Sequence, residues 1–240
     1  TLPVWRRPRV AFFSTGNEVR KVGEPLRMGE VYDSNRYTLW GMLQRLGCEI
    51  LDMGVVRDDP ALLEAAFREA AEAADAVITT GGVSVGEADY TKQIMARLGD
   101  VVFWTLAMRP GRPMAFGRIA SGGKSALVFG LPGNPVAVMV TFYFFVRDAL
   151  LTLAGHGDNR LPLFKARASV PMKKRPGRTE FLRGILSESH GECSVKLTGA
   201  QGSGILSSMS QANCFVVLRH ERGNVTAGEI VDVLPMDALV

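Results

Sequence analysis

The residue types best suited to chemistry are concentrated in one stretch, Thr79-Thr80-Gly81-Gly82-Val83-Ser84-Val85-Gly86-Glu87-Ala88-Asp89. Gly81, Gly82 and Gly86 permit a sharp turn and a close approach of backbone to a ligand. The hydroxyls of Thr79, Thr80 and Ser84, together with free N–H groups, suit phosphate oxygens. Glu87 and Asp89 add carboxylates. A tight turn with solvated acids fits the same spacing. The stretch is neither a Walker A loop nor a G-x-G-x-x-G fingerprint, since the lysine and the glycine spacing are both wrong. Four further groups carry chemical potential. Glu18 closes Ser14-Thr15-Gly16-Asn17-Glu18 and reads on its own as an exposed loop acid. Asp33, Ser34 and Asn35 are three helix-capping residues in a row, and a helix start also attracts anions. Arg109 and Arg112 sit on a Pro/Gly turn, poor for packing and good for an oxyanion, although a solvated loop reads the same way. Pro132-Gly133-Asn134-Pro135 fixes a turn that leads into a helix.

The surrounding pattern must position these groups. Residues 9–15 and 76–80 are apolar runs that read as strands buried on both faces. Residues 48–56 form another strand, closed by Arg57-Asp58-Asp59-Pro60, where Asp58 or Asp59 can cap the following helix. Helical segments are expected near residues 34–46, which stop at Gly47, then over 61–74, 90–98 and 136–154. Residues 22–31 are an irregular connection, with Gly23, Pro25 and Gly29. Residues 101–106 are strand-like, and 114–117 and 126–130 are two strands across a turn at 120–124. Strand alternating with helix means a mostly parallel, three-layer α/β sheet with right-handed crossovers, and its ligand crevice lies at the carboxyl ends of the strands.

Composition changes after residues 155–160, which read as a linker. Short alternating runs follow at 164–170, 181–186, 194–197, 214–218 and 230–234, the pattern of a small all-β barrel or sandwich. The expected domains are therefore 1–155 and 156–240. The chain of 240 residues carries a net charge of +4, with no stripe of Lys/Arg interleaved with aromatics, so nucleic acid is not an expected partner. No membrane is expected either: the most apolar window, 136–146, ends at Arg147-Asp148 and reads as a buried helix. Cys48, Cys193 and Cys214 match no zinc motif and no disulfide framework, which points to a reducing cytoplasm. His156, His190 and His220 pair with no Cys or Ser in a catalytic pattern.

Ser14-Thr15-Gly16-Asn17-Glu18, Asp33-Ser34-Asn35-Arg36, Gly81 through Tyr90, Arg109-Pro110-Gly111-Arg112-Pro113 and Leu131-Pro132-Gly133-Asn134-Pro135 occur in that order. Together they resemble the molybdopterin molybdenumtransferase family, which includes the gephyrin E domain. The resemblance spans residues 8–155, and the β-rich tail fits the family's small C-terminal domain. It implies that adenylylated molybdopterin and molybdate give molybdenum cofactor and AMP with a divalent cation, usually Mg²⁺. It further implies Glu18 and Asp89 as metal ligands, with Asp58 a third acid of the crevice. Ser14, Asp33, Ser34, Gly81, Gly82 and Ser84 would hold the substrate, while Arg109, Arg112, Pro132, Gly133, Asn134 and Pro135 form the molybdate end. In the family the site lies between subunits of a homodimer, and an N-terminal half contributes to it. On that resemblance the chain lacks this half and is a fragment, a split-gene product or a degenerate paralogue; the missing half, on another chain, or a molybdopterin adenylyltransferase is the expected further partner. A binding module or scaffold without turnover is the alternative.

Overall fold

The structure is a computed structural model that describes residues 1–82 and 89–239, and of Asp89 the backbone only. Strand β1 (Arg9–Thr15) sends Val10 and Phe12 to one face of a sheet and Ala11 and Phe13 to the other, all four fully buried. Two short strands, β2 (Val19–Arg20) and β3 (Val31–Tyr32), flank the irregular connection. Helix α1 (Ser34–Arg45) then precedes β4 (Glu49–Val56). Helix α2 (Pro60–Ala73) starts with its proline in the first turn, where no N–H is needed, and Asp59 accepts from the N–H groups of Ala61 and Leu62 at 2.9 Å. Strand β5 (Ala76–Thr80), helix α3 (Asp89–Leu98) and strand β6 (Gly99–Thr105) follow.

The chain continues through β7 (Met108–Arg109), β8 (Pro113–Ser121) and β9 (Lys124–Leu131). Helix α4 (Pro135–Thr141) runs through a π turn, Phe142–Val146, into α5 (Arg147–Leu153). The main sheet has the order β4-β1-β5-β9-β8-β6. Strands β4, β1, β5 and β9 are parallel, whereas β8 is antiparallel to both neighbours, so the sheet is mixed. Helices α2 and α3 cover one face; α1 and the α4–α5 helix cover the other. That last helix is long and apolar enough to cross a membrane by composition, but Val136, Val138, Val140, Phe142, Val146 and Leu150 are buried in the core.

The remaining strands are β10 (Phe164–Ala168), β11 (Thr179–Ser189), β12 (Glu192–Leu197), β13 (Cys214–Leu218) and β14 (Ile230–Pro235), with a short helix α6 (Ser207–Gln211). Strand β12 pairs with β10 and with β11, which closes a barrel in the order β12-β10-β14-β13-β11. Strand β7 joins it by pairing parallel with Thr179–Glu180. Phe144 stacks on Phe181 with ring centroids 4.1 Å apart, and Tyr143 and Phe144 both approach Phe215. Such ring pairs add about 0.5–1.5 kcal/mol each beyond area burial. Barrel and sheet are thus welded along a shared apolar seam, and loops of both converge beside β7.

Candidate functional site

Parallel neighbours end on the same side of a sheet, so the turns after β1, β5 and β9 come together. Their approach is close. A Cβ added at Gly81 would lie 2.3 Å from the Thr15 carbonyl oxygen, and one at Gly82 would lie 2.5 Å from Thr91 Oγ1. Both glycines also have positive φ, 86° and 67°, so no other residue type fits. The Gly81 N–H donates to the Leu131 carbonyl at 3.1 Å, and a Cβ on Gly133 would stand 3.8 Å from Gly81 Cα. Three turns therefore form one surface.

Several expected phosphate ligands are occupied elsewhere. The Gly81 N–H is committed to Leu131, and Thr79 and Thr80 are sealed in the sheet at 0% and 1% exposure. A strand buried on both faces has no free side for its hydroxyls. Ser14 is equally enclosed, and its Oγ accepts from Thr80 Oγ1 at 3.1 Å. It ties two strand ends together. Asp58 accepts from Thr15 Oγ1 and from the Asn17 N–H, the latter at 3.1 Å. Both of its oxygens thus shape the turn that presents Glu18. Glu18 itself is exposed. Ser84, Glu87 and the Asp89 side chain lie outside the described residues, although Asp89 opens α3 after the neighbouring turn.

The start of α1 meets the turn after β9. Asp33 caps the helix, accepting from the Arg36 N–H at 3.0 Å, and Asn35 Nδ2 donates to the Gly133 carbonyl at 2.7 Å. Ser34 is the half-buried first residue of the helix. Asp33 Oδ2 and Asn35 Oδ1 are buried with no partner among the described residues. Both are acceptors. They suit a donor group of a ligand and would repel a phosphate.

A cavity of about 490 Å³ opens beside these turns. Its walls are the basic turn with Arg109 and Arg112, the Pro132-Gly133-Asn134 turn, and Arg178, Gln201 and Ser203 from the barrel. Pro135 stands just behind, as the first residue of α4. The Leu106 N–H closes the basic turn on the Arg112 carbonyl at 2.7 Å, and its Arg109–Pro110 bond is cis. Asn134 Nδ2 donates to Ser203 Oγ at 3.1 Å, and the Val136 N–H donates to the Ser203 carbonyl at 3.0 Å. Arg112 and Arg109 form no ion pair with any described carboxylate, while Arg178 is paired with the buried Glu180 at 2.8 Å. Behind the wall, fully buried Arg183 donates to Ser208 Oγ and the Gly202 carbonyl, both at 2.9 Å. Burial, and then the charge of Arg109, pull its guanidinium down to about 10. The cavity is a cationic concavity with fixed walls. Sequence reasoning missed Arg178, Gln201, Ser203 and Arg183. They lie more than 40 residues from the turns that they face, and their local pattern is that of ordinary barrel loops.

Among the described residues, no group of three or more His, Cys, Asp or Glu is placed to hold a metal. Burial pushes the Cys48 and Cys214 thiols up to about 11, so neither suits nucleophilic work.

Residues 11–152 match a family described as a probable molybdopterin binding domain, and residues 165–236 match the MoeA C-terminal region (domain IV). The chain is 44% identical over 238 residues to the molybdopterin molybdenumtransferase of Haemophilus influenzae, covering 98% of this chain and 58% of that protein. Gephyrin of Dictyostelium discoideum is 31% identical, with 95% of this chain and 36% of that protein covered. Among solved structures, the molybdopterin biosynthesis MoeA protein of Pyrococcus horikoshii superposes with a TM-score of 0.77 at 33% identity, over 96% of this chain and 55% of that one. The chain thus spans little more than half the length of the Haemophilus and Pyrococcus proteins and about a third of that gephyrin.

Proposed function

Because the chain belongs to the molybdopterin molybdenumtransferase family of molybdenum cofactor biosynthesis, that of MoeA and gephyrin, we propose that it carries the sheet-side half of a site that transfers molybdenum from molybdate to adenylylated molybdopterin, with release of AMP. The observation that supports this reading is a cavity beside the converged strand-end turns, walled by the turn after β9 and by Arg109 and Arg112, which have no described counter-ion.

Each wall then has a job. Arg112, Arg109 and Arg178 bind the molybdate oxygens by their guanidinium forks, and the Pro132–Pro135 turn sets the floor. The unpartnered acceptors Asp33 Oδ2 and Asn35 Oδ1 suit the N–H and amino donors of a pterin ring. Gly81 and Gly82 keep the surface free of side chains so that a substrate can lie against it. Asp58 fixes the Thr15–Asn17 turn and so aims Glu18. The donor chemistry fits a hard cation: Glu18 is an exposed carboxylate, and Asp89 follows the adjacent strand. Mg²⁺ held there would offset charge on the leaving nucleotide. Ser84 stays a proposed phosphate ligand. The reading also carries two domains, 1–155 and 156–240, a cytoplasmic homodimer, and association with a molybdopterin adenylyltransferase.

Calorimetry tests the proposal. The protein should bind AMP in a Mg²⁺-dependent way and tungstate, a stable molybdate analogue, at a separate subsite. Asp89→Ala should abolish the Mg²⁺ dependence alone. If neither ligand binds, the reading fails. If both bind and no AMP is released from adenylylated molybdopterin, even with a full-length relative's N-terminal half added, a binding module replaces the enzyme.

A further inference from the structure

A second basic cleft lies on the barrel and adjoins the cavity just described. It has a volume of about 560 Å³ and is walled by Lys173, Lys174, Arg175, Arg178 and Arg109, with Asn224 and the buried Glu180. Its wall thus carries five cationic residues and one carboxylate, and that carboxylate is already paired with Arg178 at 2.8 Å.

The cleft is held in shape by its buried members. Lys174 is only 4% exposed, and its ammonium donates to the carbonyls of Arg222 at 2.7 Å and Arg175 at 3.2 Å. Its N–H donates to Asn224 Oδ1 at 2.9 Å, and the Gly177 N–H reaches the His220 carbonyl at 2.9 Å. The loop 173–178 is therefore fastened to the loop 220–224. Turning Lys174 inward presents its neighbours Lys173 and Arg175 outward, exposed and without an ion pair among the described residues. A loop needed for packing alone gains nothing from fixed like charges, which repel one another. An anion in the cleft relieves that repulsion.

Arg109 and Arg178 wall this cleft and the oxyanion cavity alike. We infer that the barrel cleft is a second anion-binding site, which takes a dianionic tetrahedral oxygen group and adjoins the first site across Arg109 and Arg178. The group is a free inorganic oxyanion or the terminal phosphate of a nucleotide. The adjacency, though not the existence of the cleft, rests on the reading of the first cavity. A dianion held here waits one arginine away from the cavity, at raised local concentration.

Calorimetric titration with sodium tungstate, and separately with AMP, tests the inference on the whole chain. Wild-type protein should take up two equivalents of tungstate, or one of tungstate and, without Mg²⁺, one of AMP beyond the Mg²⁺-dependent equivalent. In Lys173→Gln/Arg175→Gln one of those equivalents should weaken at least tenfold. Both residues are exposed, so the melting temperature should not move. Arg112→Gln should weaken the other equivalent and leave this one. The inference is overturned if the double variant binds both ligands as the wild type does. Loss in the double variant with no effect of Arg112→Gln would keep the barrel site and reject the reading of the cavity.

Discussion

The two ends of the main sheet treat charge in opposite ways. At the amino ends of the strands, Asp75 accepts from Arg6 at 2.6 Å and from the Arg9 N–H at 2.8 Å, and Arg9 pairs with Glu49 at 3.0 Å. Each of these four charges has a counter-charge. At the carboxyl ends, Arg109 and Arg112 have none among the described residues, and glycines stand where the turn after β5 meets Thr15 and Thr91. The first end closes the fold. The second holds charge and curvature that the fold does not need, which is the mark of a surface kept for a ligand.

Breaking the turn surface should have the largest effect. Gly81→Ala meets a left-handed conformation and the Thr15 carbonyl together, so it should cost about 3 kcal/mol or more in urea unfolding. Gly123→Ala is the matched control: its φ is 75° with nothing within 4 Å, and it should cost only about 1–2 kcal/mol. Next in size, Arg112→Ala should weaken tungstate binding by about 1.5–3 kcal/mol and AMP binding less. Arg9→Ala, at the other end, should change neither. Equal losses for both ligands would move Arg112 out of the oxyanion subsite. Asp58→Ala leaves the Asn17 N–H and the Thr15 hydroxyl without their acceptor; about 1–2 kcal/mol of stability should go, together with part of the Mg²⁺-dependent AMP affinity.

The smallest effect belongs to the closed end. The hydrogen bond from Arg6, more than any other cause, holds the Asp75 carboxyl below its ordinary 3.8. A depressed carboxylate contributes stability that is present above pH 3.8 and lost as the pH falls through its folded value. Arg6 is 72% exposed, so the contribution is that of a surface pair. Asp75→Asn should therefore cost at most about 1 kcal/mol at pH 7. The deficit should shrink in melts as the pH falls below 3.8 and vanish once the folded carboxyl is protonated.

Much of this contrast is legible in the chain. Period-two and period-3.6 patterning locates β1, β5, α1 and α2 within a residue or two, and the Asp59-Pro60 start of α2 is spelled out by its cap. Strand direction is not legible. Residues 114–117 and 126–130 read as two strands across a turn, but nothing local says which of them runs against the sheet. The barrel strands are each readable, whereas closure through β12 depends on a non-hairpin pairing with β10, and the capture of Met108–Arg109 by Thr179–Glu180 on contacts some seventy residues apart. The same distance hid Arg178 and Ser203. The hydroxyls of Thr79 and Thr80 misled for a different reason: the strand signal and the ligand signal overlapped, and burial on both faces won.

The central claim is that the carboxyl-end cavity is an oxyanion site, and diffraction from crystals soaked in tungstate tests it most directly. Data collected at the tungsten absorption edge should show an anomalous peak within hydrogen-bonding distance of Arg112 and the Pro132-Gly133-Asn134 turn. A cavity without such a peak, when tungsten is seen elsewhere on the protein, would contradict the account.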